Sequence, residues 1–418
     1  MKQGQMETPC YVIHKEVLDQ QVALLKKALD DNWSNYIAGY SFKTNGLPWV
    51  LMQMKTAGFY AEVVSEDEYN LARYMGFSHV IYNGPVKSRE SFLDALTRGH
   101  MVNLDAEQEL DWLEESDLRD VQVGLRVNFD LEAICRGETS SGEEGGRFGF
   151  SYETGALHRA AKRLEEMGVK LSGLHLHVSS RTRSIKIYRA LARMAVRLKQ
   201  EYGWNLSYID IGGGYFGGME NKPEFPAYME AVREELSAGY TPEETTLVVE
   251  PGTSLITPPV EYLTAVVDCK DTYAGRFVVT NGSRSDIDPL HGKSSYFHKV
   301  GYALADPHGS YRIQETALGA WEEQAGPAAD REIQSRQVIC GHTCMENDRL
   351  FVMEGEPALR PGDVIAYRKV GGYTMCLTPL FIRYFPPVYV EEAGQLTCVR
   401  EKWSTEEYVR KSHFRDAF

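Results

Sequence analysis

A single lysine, Lys43, ends the run NYIAGYSFK that starts at Asn35, a segment apolar enough to be a buried strand. An amine in that place is either a solvated charge or a nucleophile kept for carbonyl chemistry. Other reactive residue types fall at comparable places. Glu62 lies in AEVVS, Arg126 in VQVGLRVNF, and His175, His177 and Ser180 in LSGLHLHVSS. Gly212, Gly213 and Gly214 close LSYIDIGGG, and Glu250 and Gly252 close TTLVVEPG. Histidines two residues apart share one face of a strand. They are either satisfied core residues or a metal pair, and a metal would need His, Asp or Glu from neighbouring strands. Arg126 stands there instead, so no metal is expected. GGGYFG satisfies GxGxxG, yet it runs into GMENKPEFP and not directly into a helix, which makes a dinucleotide fingerprint a poor reading.

Consecutive glycines turn backbone N–H groups toward an anion, so a phosphate suits this loop better. Lysine, phosphate loop, ring-sized histidine and buried carboxylate together fit one cofactor, pyridoxal phosphate. Its aldehyde needs an amine, which Lys43 offers, and its phosphate needs backbone donors. Its ring nitrogen needs a partner that keeps it protonated, and a carboxylate such as Glu250 favours that form. His177 would stack on the ring.

The elements that must position these groups follow from hydrophobic periodicity. Eight short β-rich runs, the eighth being TTLVVEPG, alternate with seven segments whose apolar residues recur at three-to-four spacing, and VLDQQVALLKKALDD supplies an eighth helix before the first run. That order predicts an α/β fold, a (β/α)8 TIM-type barrel over residues 17–257, with chemistry at the C-terminal ends of its strands. After Gly252 the chain becomes β-rich without intervening helices. A mostly antiparallel β domain is expected over residues 258–418, joined by an N-terminal strand within 8–16.

With 418 residues, 43% hydrophobic and 25% charged, the chain can bury a sizeable core. A net charge of -14 and the lack of a basic stripe argue against nucleic acid. The N-terminus lacks a signal-peptide core, no apolar run is long enough to cross a bilayer, and seven scattered cysteines do not make a disulfide scaffold; a cytoplasmic protein with no membrane partner is expected.

In order along the chain, YSFKTN, EVVSEDE, YNGPVKS, RFGF, HLHVSS, DIGGGY, EPG, GHTC, GDVIAY and GGYT resemble the motifs of the fold III pyridoxal phosphate-dependent decarboxylases, the group of ornithine, arginine and diaminopimelate decarboxylases, with alanine racemase a more distant relative. The resemblance implies that Lys43 carries the cofactor, His177 stacks on it, and Glu250 contacts its nitrogen. It further implies that Ser180, Gly213, Gly214 and Tyr373 bind phosphate, with Gly252 in the EPG turn, Glu62 near the cofactor and Arg126 helping to hold the site. Cys344 matches a proton donor supplied by the neighbouring subunit of a homodimer, with active sites shared across the interface. Without the resemblance, Cys344 could equally be a loop thiol, or part of a Cys/His cluster with Cys340 and His342.

Three positions depart from that pattern. Thr253 follows EPG where an arginine is common, with Arg181 and Arg183 as candidate replacements. Met345 follows Cys344 where relatives acting on diamino acids have an acidic residue. Asp288 stands where diaminopimelate decarboxylases carry a carboxylate-reading arginine, and it is either a substrate-contacting anion or a structural one. The expected activity is decarboxylation of an α-amino acid, with a modified or specialised side chain fitting better than ornithine or diaminopimelate. Racemisation on the same barrel and a non-catalytic regulatory relative are the alternatives.

Overall fold

The computed structural model describes residues 6–116, 118, 121–178, 181–302 and 331–413. The chain divides into two compact units, one running from Gln20 to Leu255 and one combining the residues up to Asp19 with Ile256–Phe418.

In the first unit, strands Tyr36–Ser41, Tyr60–Val63, Val80–Tyr82, Met101–Leu104, Gln122–Asn128, Lys170–His175, Tyr208–Asp210 and Thr246–Val249 pair in parallel. The eighth pairs back onto the first, which closes the barrel. Phe150–Ser151 adds a short strand beside the fifth. Each connecting helix starts and stops on local signals. Ser65, Ser88 and Ser184 accept hydrogen bonds from the first turns of their helices, and Gly168 and Gly203 end theirs in the left-handed conformation. Helix Ile185–Tyr202 buries Ile187, Leu191, Met194 and Leu198 on one stripe; burial of each such side chain contributes about 2 kcal/mol.

Two tiers fill the barrel. The lower is apolar, with Ile81, Tyr208 and Val248 packed against Ile37, Tyr60 and Met101. Tyr208 fits because Gly124 and Gly173 face it; a Cβ at either would lie 2.2 or 2.3 Å from its ring or hydroxyl. Two residues further along, five of these six inward positions turn polar: Tyr60 gives way to Glu62, Ile81 to Asn83, Met101 to Asn103, Tyr208 to Asp210 and Val248 to Glu250, whereas Ile37 is followed by Gly39. Period two therefore carries these five strands from an oily floor to a polar mouth.

In the second unit, strand Cys10–His14 pairs antiparallel with Val260–Thr272 and parallel with Val388–Glu392. Gly275–Thr280, Gln337–Cys340, Arg349–Met353, Phe297–Gly301, Val364–Arg368 and Gln395–Arg400 complete a mostly antiparallel sheet.

Some expectations need correction. FIRYFPPVYVEE forms a strand only from Val388, because Pro386 and Pro387 cannot donate to a ladder. LSGLHLHVSS leaves the sheet after His175, and Lys43 sits in a single 3-10 turn, Phe42–Thr44, beyond its strand.

Candidate active site

Lys43 reaches out of its turn to Glu62, whose Oε2 lies 3.0 Å from Nζ and also accepts from Ser41 Oγ at 2.6 Å. Glu62 Oε1 accepts from Asn83 Nδ2 at 3.1 Å, and the same amide nitrogen donates to Glu250 Oε1 at 2.5 Å. Glu62, Asn83 and Glu250 are all buried.

His175, Asp210 and Glu250 bring ligand-type atoms within 4.8 Å of one another, the one such trio among the described residues. His175 Nε2 is 3.4 Å from Glu250 Oε2, an ion-pair distance, but neither ring nitrogen is aligned for a hydrogen bond. Burial and then the charge of Glu250 push the Asp210 carboxyl well above its usual range. Burial also works against ionising Glu250, yet His175, a hydrogen bond from Asp210 and Lys43 outweigh it and hold Glu250 below the usual carboxylate range. Within the Asp210–Glu250 pair the proton therefore resides on Asp210 and Glu250 is anionic.

Arg126 donates to Asp105 Oδ2 at 2.8 Å and to the His177 carbonyl at 3.1 Å. Its guanidinium lies over the Phe148 ring at 4.6 Å. The His177 ring is only partly covered by protein, but desolvation, then Arg126 and His175, lower its pKa to about 3. It is a neutral, flat surface at neutral pH, and it stacks at 17° on His175.

The glycine loop is tied to both neighbours. Gly212 N donates to Asp210 Oδ1 at 2.8 Å, and Glu250 N donates to the Gly212 carbonyl at 2.9 Å. A Cβ at Gly213 would lie 2.0 Å from the Glu250 carbonyl oxygen, and one at Gly252 would lie 2.1 Å from Thr44 Oγ1. Among the described residues, no acceptor is found for the N–H groups of Gly213 and Gly214. A reachable amine, an ionised buried carboxylate, a neutral imidazole face and free backbone donors on a glycine cradle fit pyridoxal phosphate.

Residues 16–257 match the family model for the pyridoxal binding domain of pyridoxal-dependent decarboxylases, more than half of the chain. The chain belongs to the pyridoxal-dependent decarboxylases. It is a pyridoxal phosphate-dependent carboxy-lyase of the diaminopimelate/ornithine decarboxylase group. It is 25% identical over 96% of its length to a probable chloroplastic diaminopimelate decarboxylase of Oryza sativa subsp. japonica, covering 79% of that protein. Identity to the diaminopimelate decarboxylase of Zymomonas mobilis subsp. mobilis is 26%, over 97% of this chain and 93% of the other. The crystal structure of diaminopimelate decarboxylase from M. jannaschii, in complex with L-lysine, shares the fold, with a TM-score of 0.79 at 20% identity over 98% and 93% of the two chains.

The other expected site residues of this decarboxylase divide between the two units. Ser180 lies outside the described residues. Arg181 donates to the Thr139 carbonyl at 3.1 Å, whereas Arg183 lies over the Phe216 ring at 5.2 Å and donates to the Tyr215 carbonyl at 3.4 Å, directly beyond the glycine loop.

In the second unit, Cys344 is exposed on a loop built around Asp348, whose Oδ2 accepts from Thr343 N and Oγ1. Met345 is half-buried in that loop. His342 Nδ1 faces the Gly282 carbonyl at 3.0 Å, and the Cys340, His342 and Cys344 alternative does not gather into a metal cluster. Tyr373 is 40% exposed with φ of 56°. Asp288, expected as a substrate contact, is instead spent on its own loop. It is 4% exposed and accepts from Gly292 N, Lys293 N, Tyr296 Oη and Arg284. Arg284 four residues earlier on one helical turn, and a loop that folds back, load Oδ2 with most of these bonds, while Oδ1 accepts from Gly292 N.

Sequence reasoning passed over Asn83, Asn103 and Asp210, although all three stand at the polar inward positions of their strands. It also passed over Glu68 in EVVSEDE. Burial raises this carboxyl to about 7, with Glu62 adding to the effect and Val64 N and Lys43 opposing it. Among the described residues no helix is long and apolar enough to cross a membrane.

Proposed function

We propose that this chain removes the α-carboxyl group of an amino acid with a modified or specialised side chain, using Lys43 to hold pyridoxal phosphate and Glu250 to face its ring nitrogen. The observation that carries this reading is the polar tier itself, with a half-open amine at one side and an ionised, buried carboxylate at the other.

When bound, pyridoxal phosphate supplies an electron sink, because its protonated ring accepts the electron pair left at the α-carbon as carbon dioxide departs. The protein's part is to hold, orient and move protons. Glu250 keeps a negative charge against the ring N–H, and His177 offers its neutral face to the ring. Gly213 and Gly214 give N–H groups to the phosphate, with Ser180 and Tyr373 as further contacts and Gly252 keeping the EPG turn clear of Thr44. Arg183 is better placed than Arg181 to replace the arginine absent at Thr253. Glu62 and Ser41 steer the Lys43 amine, and Arg126 fixes the His177 backbone.

Cys344 of a second subunit would return a proton to the α-carbon, which makes the working form a homodimer. Exposed apolar side chains at Leu377, Leu380, Phe381 and Ile382 support an interface on that stretch. As for the substrate, the relatives named above are diaminopimelate decarboxylases, but this chain has no cation at Asp288 and no anion at Met345 with which to read a distal carboxylate or ammonium.

A panel of basic, acidic and N-modified amino acids of both hands tests this reading, with carbon dioxide release and amine formation as readouts. One panel member should be decarboxylated by the parent and not by Lys43→Ala or Glu250→Ala. Racemisation without carbon dioxide, or equal turnover by Lys43→Ala, would refute it.

A further inference from the structure

Asn83 stands just beyond the third barrel strand and is 2% exposed. Both of its amide protons are spent on carboxylates, at 3.1 Å to Glu62 Oε1 and 2.5 Å to Glu250 Oε1. Its oxygen accepts from Asn103 Nδ2 at 2.8 Å, and the Asn103 oxygen accepts from Tyr208 Oη at 2.7 Å. This chain fixes which way each amide faces, because a carboxamide oxygen turned toward Glu62 and Glu250 would meet only acceptors.

Two carboxylates that face one small buried space repel, and ordinarily one of them takes up a proton. A neutral amide that gives a hydrogen to each stabilises both charged forms and adds no charge of its own. The other titratable groups facing the pair are Lys43 and Glu68 on the Glu62 side, and His175, Asp210 and His177 on the Glu250 side.

We propose that Asn83 is a positioning residue that ties the carboxylate beside the lysine to the carboxylate facing the ring nitrogen, so that both stay ionised together while the cofactor is bound. The proposal rests on the assignment of Lys43 and Glu250 above and adds the link between them. It follows that the two ends of the cofactor are electrostatically coupled through one side chain. Loss of the amide neutralises one carboxylate, which weakens the support either for a positive charge at Lys43 or for the proton on the ring nitrogen.

The test loads the parent, Asn83→Leu and Asn83→Ala with pyridoxal phosphate and follows absorbance across pH, with kcat and KM measured on the amino acid the parent turns over. Leucine keeps the branched shape without the amide and excludes water, whereas alanine provides a second variant if leucine fails to fold. The midpoint of the absorbance curve should fall by about one pH unit. The value of kcat should drop on the order of tenfold while KM changes much less. A parent that loads normally beside variants with an unmoved midpoint would overturn this inference alone. A parent that takes up no cofactor would overturn the assignment of Lys43, and this inference with it.

Discussion

Lys43 and Glu62 meet at 3.0 Å with unequal exposure, the lysine side chain being 40% open and the glutamate 1%. The amine is accessible while its counter-ion is shut away from water, where an ion pair is screened least. Glu62→Gln keeps the shape and the contact with Ser41 but removes the charge. Steady-state assays should show kcat/KM lower by roughly tenfold to a hundredfold, with little change in melting temperature. Unchanged kinetics would mean that the pair is only architectural.

Gly213 has no room for a side chain, because a Cβ would press on the Glu250 carbonyl oxygen at 2.0 Å. Gly213→Ala must push the loop or the Glu250 backbone aside, and both belong to the cradle. Equilibrium dialysis with pyridoxal phosphate should show affinity reduced about tenfold or more. An unaltered dissociation constant would place the phosphate elsewhere.

His177 makes stability pH-dependent with a definite sign. Its pKa in the folded chain is about 3, against 6.5 as the ordinary value. Between those limits the unfolded chain binds the extra proton, so stability rises with pH and is lost on acidification from about 6.5 toward 3. Urea denaturation of the cofactor-free protein at a series of pH values should show this slope, and His177→Gln should flatten it. Parallel curves for the two proteins would contradict the assignment.

Lys87 and Glu109 form an ion pair at 2.6 Å with side chains 0% and 2% exposed. Lys87 also donates to the carbonyls of Gly84 and Asn103, and Glu109 accepts from the N–H groups of Asp105 and Ala106. Lys87→Met leaves a buried carboxylate without its cation and should cost about 3–5 kcal/mol by chemical denaturation. Lys87→Met with Glu109→Leu should recover part of that loss, since the two changes are coupled. If the single variant were as stable as the parent, the pair would carry no weight in the fold.

Much of the barrel was legible because its strands and helices obey different periods, and because parallel strands all deliver their C-terminal ends to one mouth. Lys43, Glu62, Arg126, His175 and Glu250 carry reactive side chains at those ends, so residue type and position pointed the same way. Asn83 and Asn103 were harder to see. A carboxamide before a glycine and proline, as in YNGP, reads as turn chemistry, and its importance emerges only when two carboxylates from distant strands are found on its amide. Asp210 likewise resembles an ordinary strand-end residue until Glu250 and His175 close around it. Asp288 could be read from its charge as a substrate contact or as a structural anion, and its bonds from Gly292, Lys293 and Tyr296 are of the second kind. Pairing along the sequence cannot show that a loop folds back to bind its own anion.

The strand Cys10–His14 is flanked by Val260–Thr272 and Val388–Glu392, so it waits for partners synthesised about 250 and 375 residues after it. At common elongation rates that interval lasts on the order of tens of seconds. The contiguous segment Gln20–Leu255 can close meanwhile, but Tyr11, Val12 and Ile13, wholly or almost wholly buried once folded, stay unprotected until Val388–Glu392 has emerged. Nascent chains stalled before Val388 should therefore be sticky, chaperone-bound species even though Lys43, the glycine loop and Glu250 have all been synthesised.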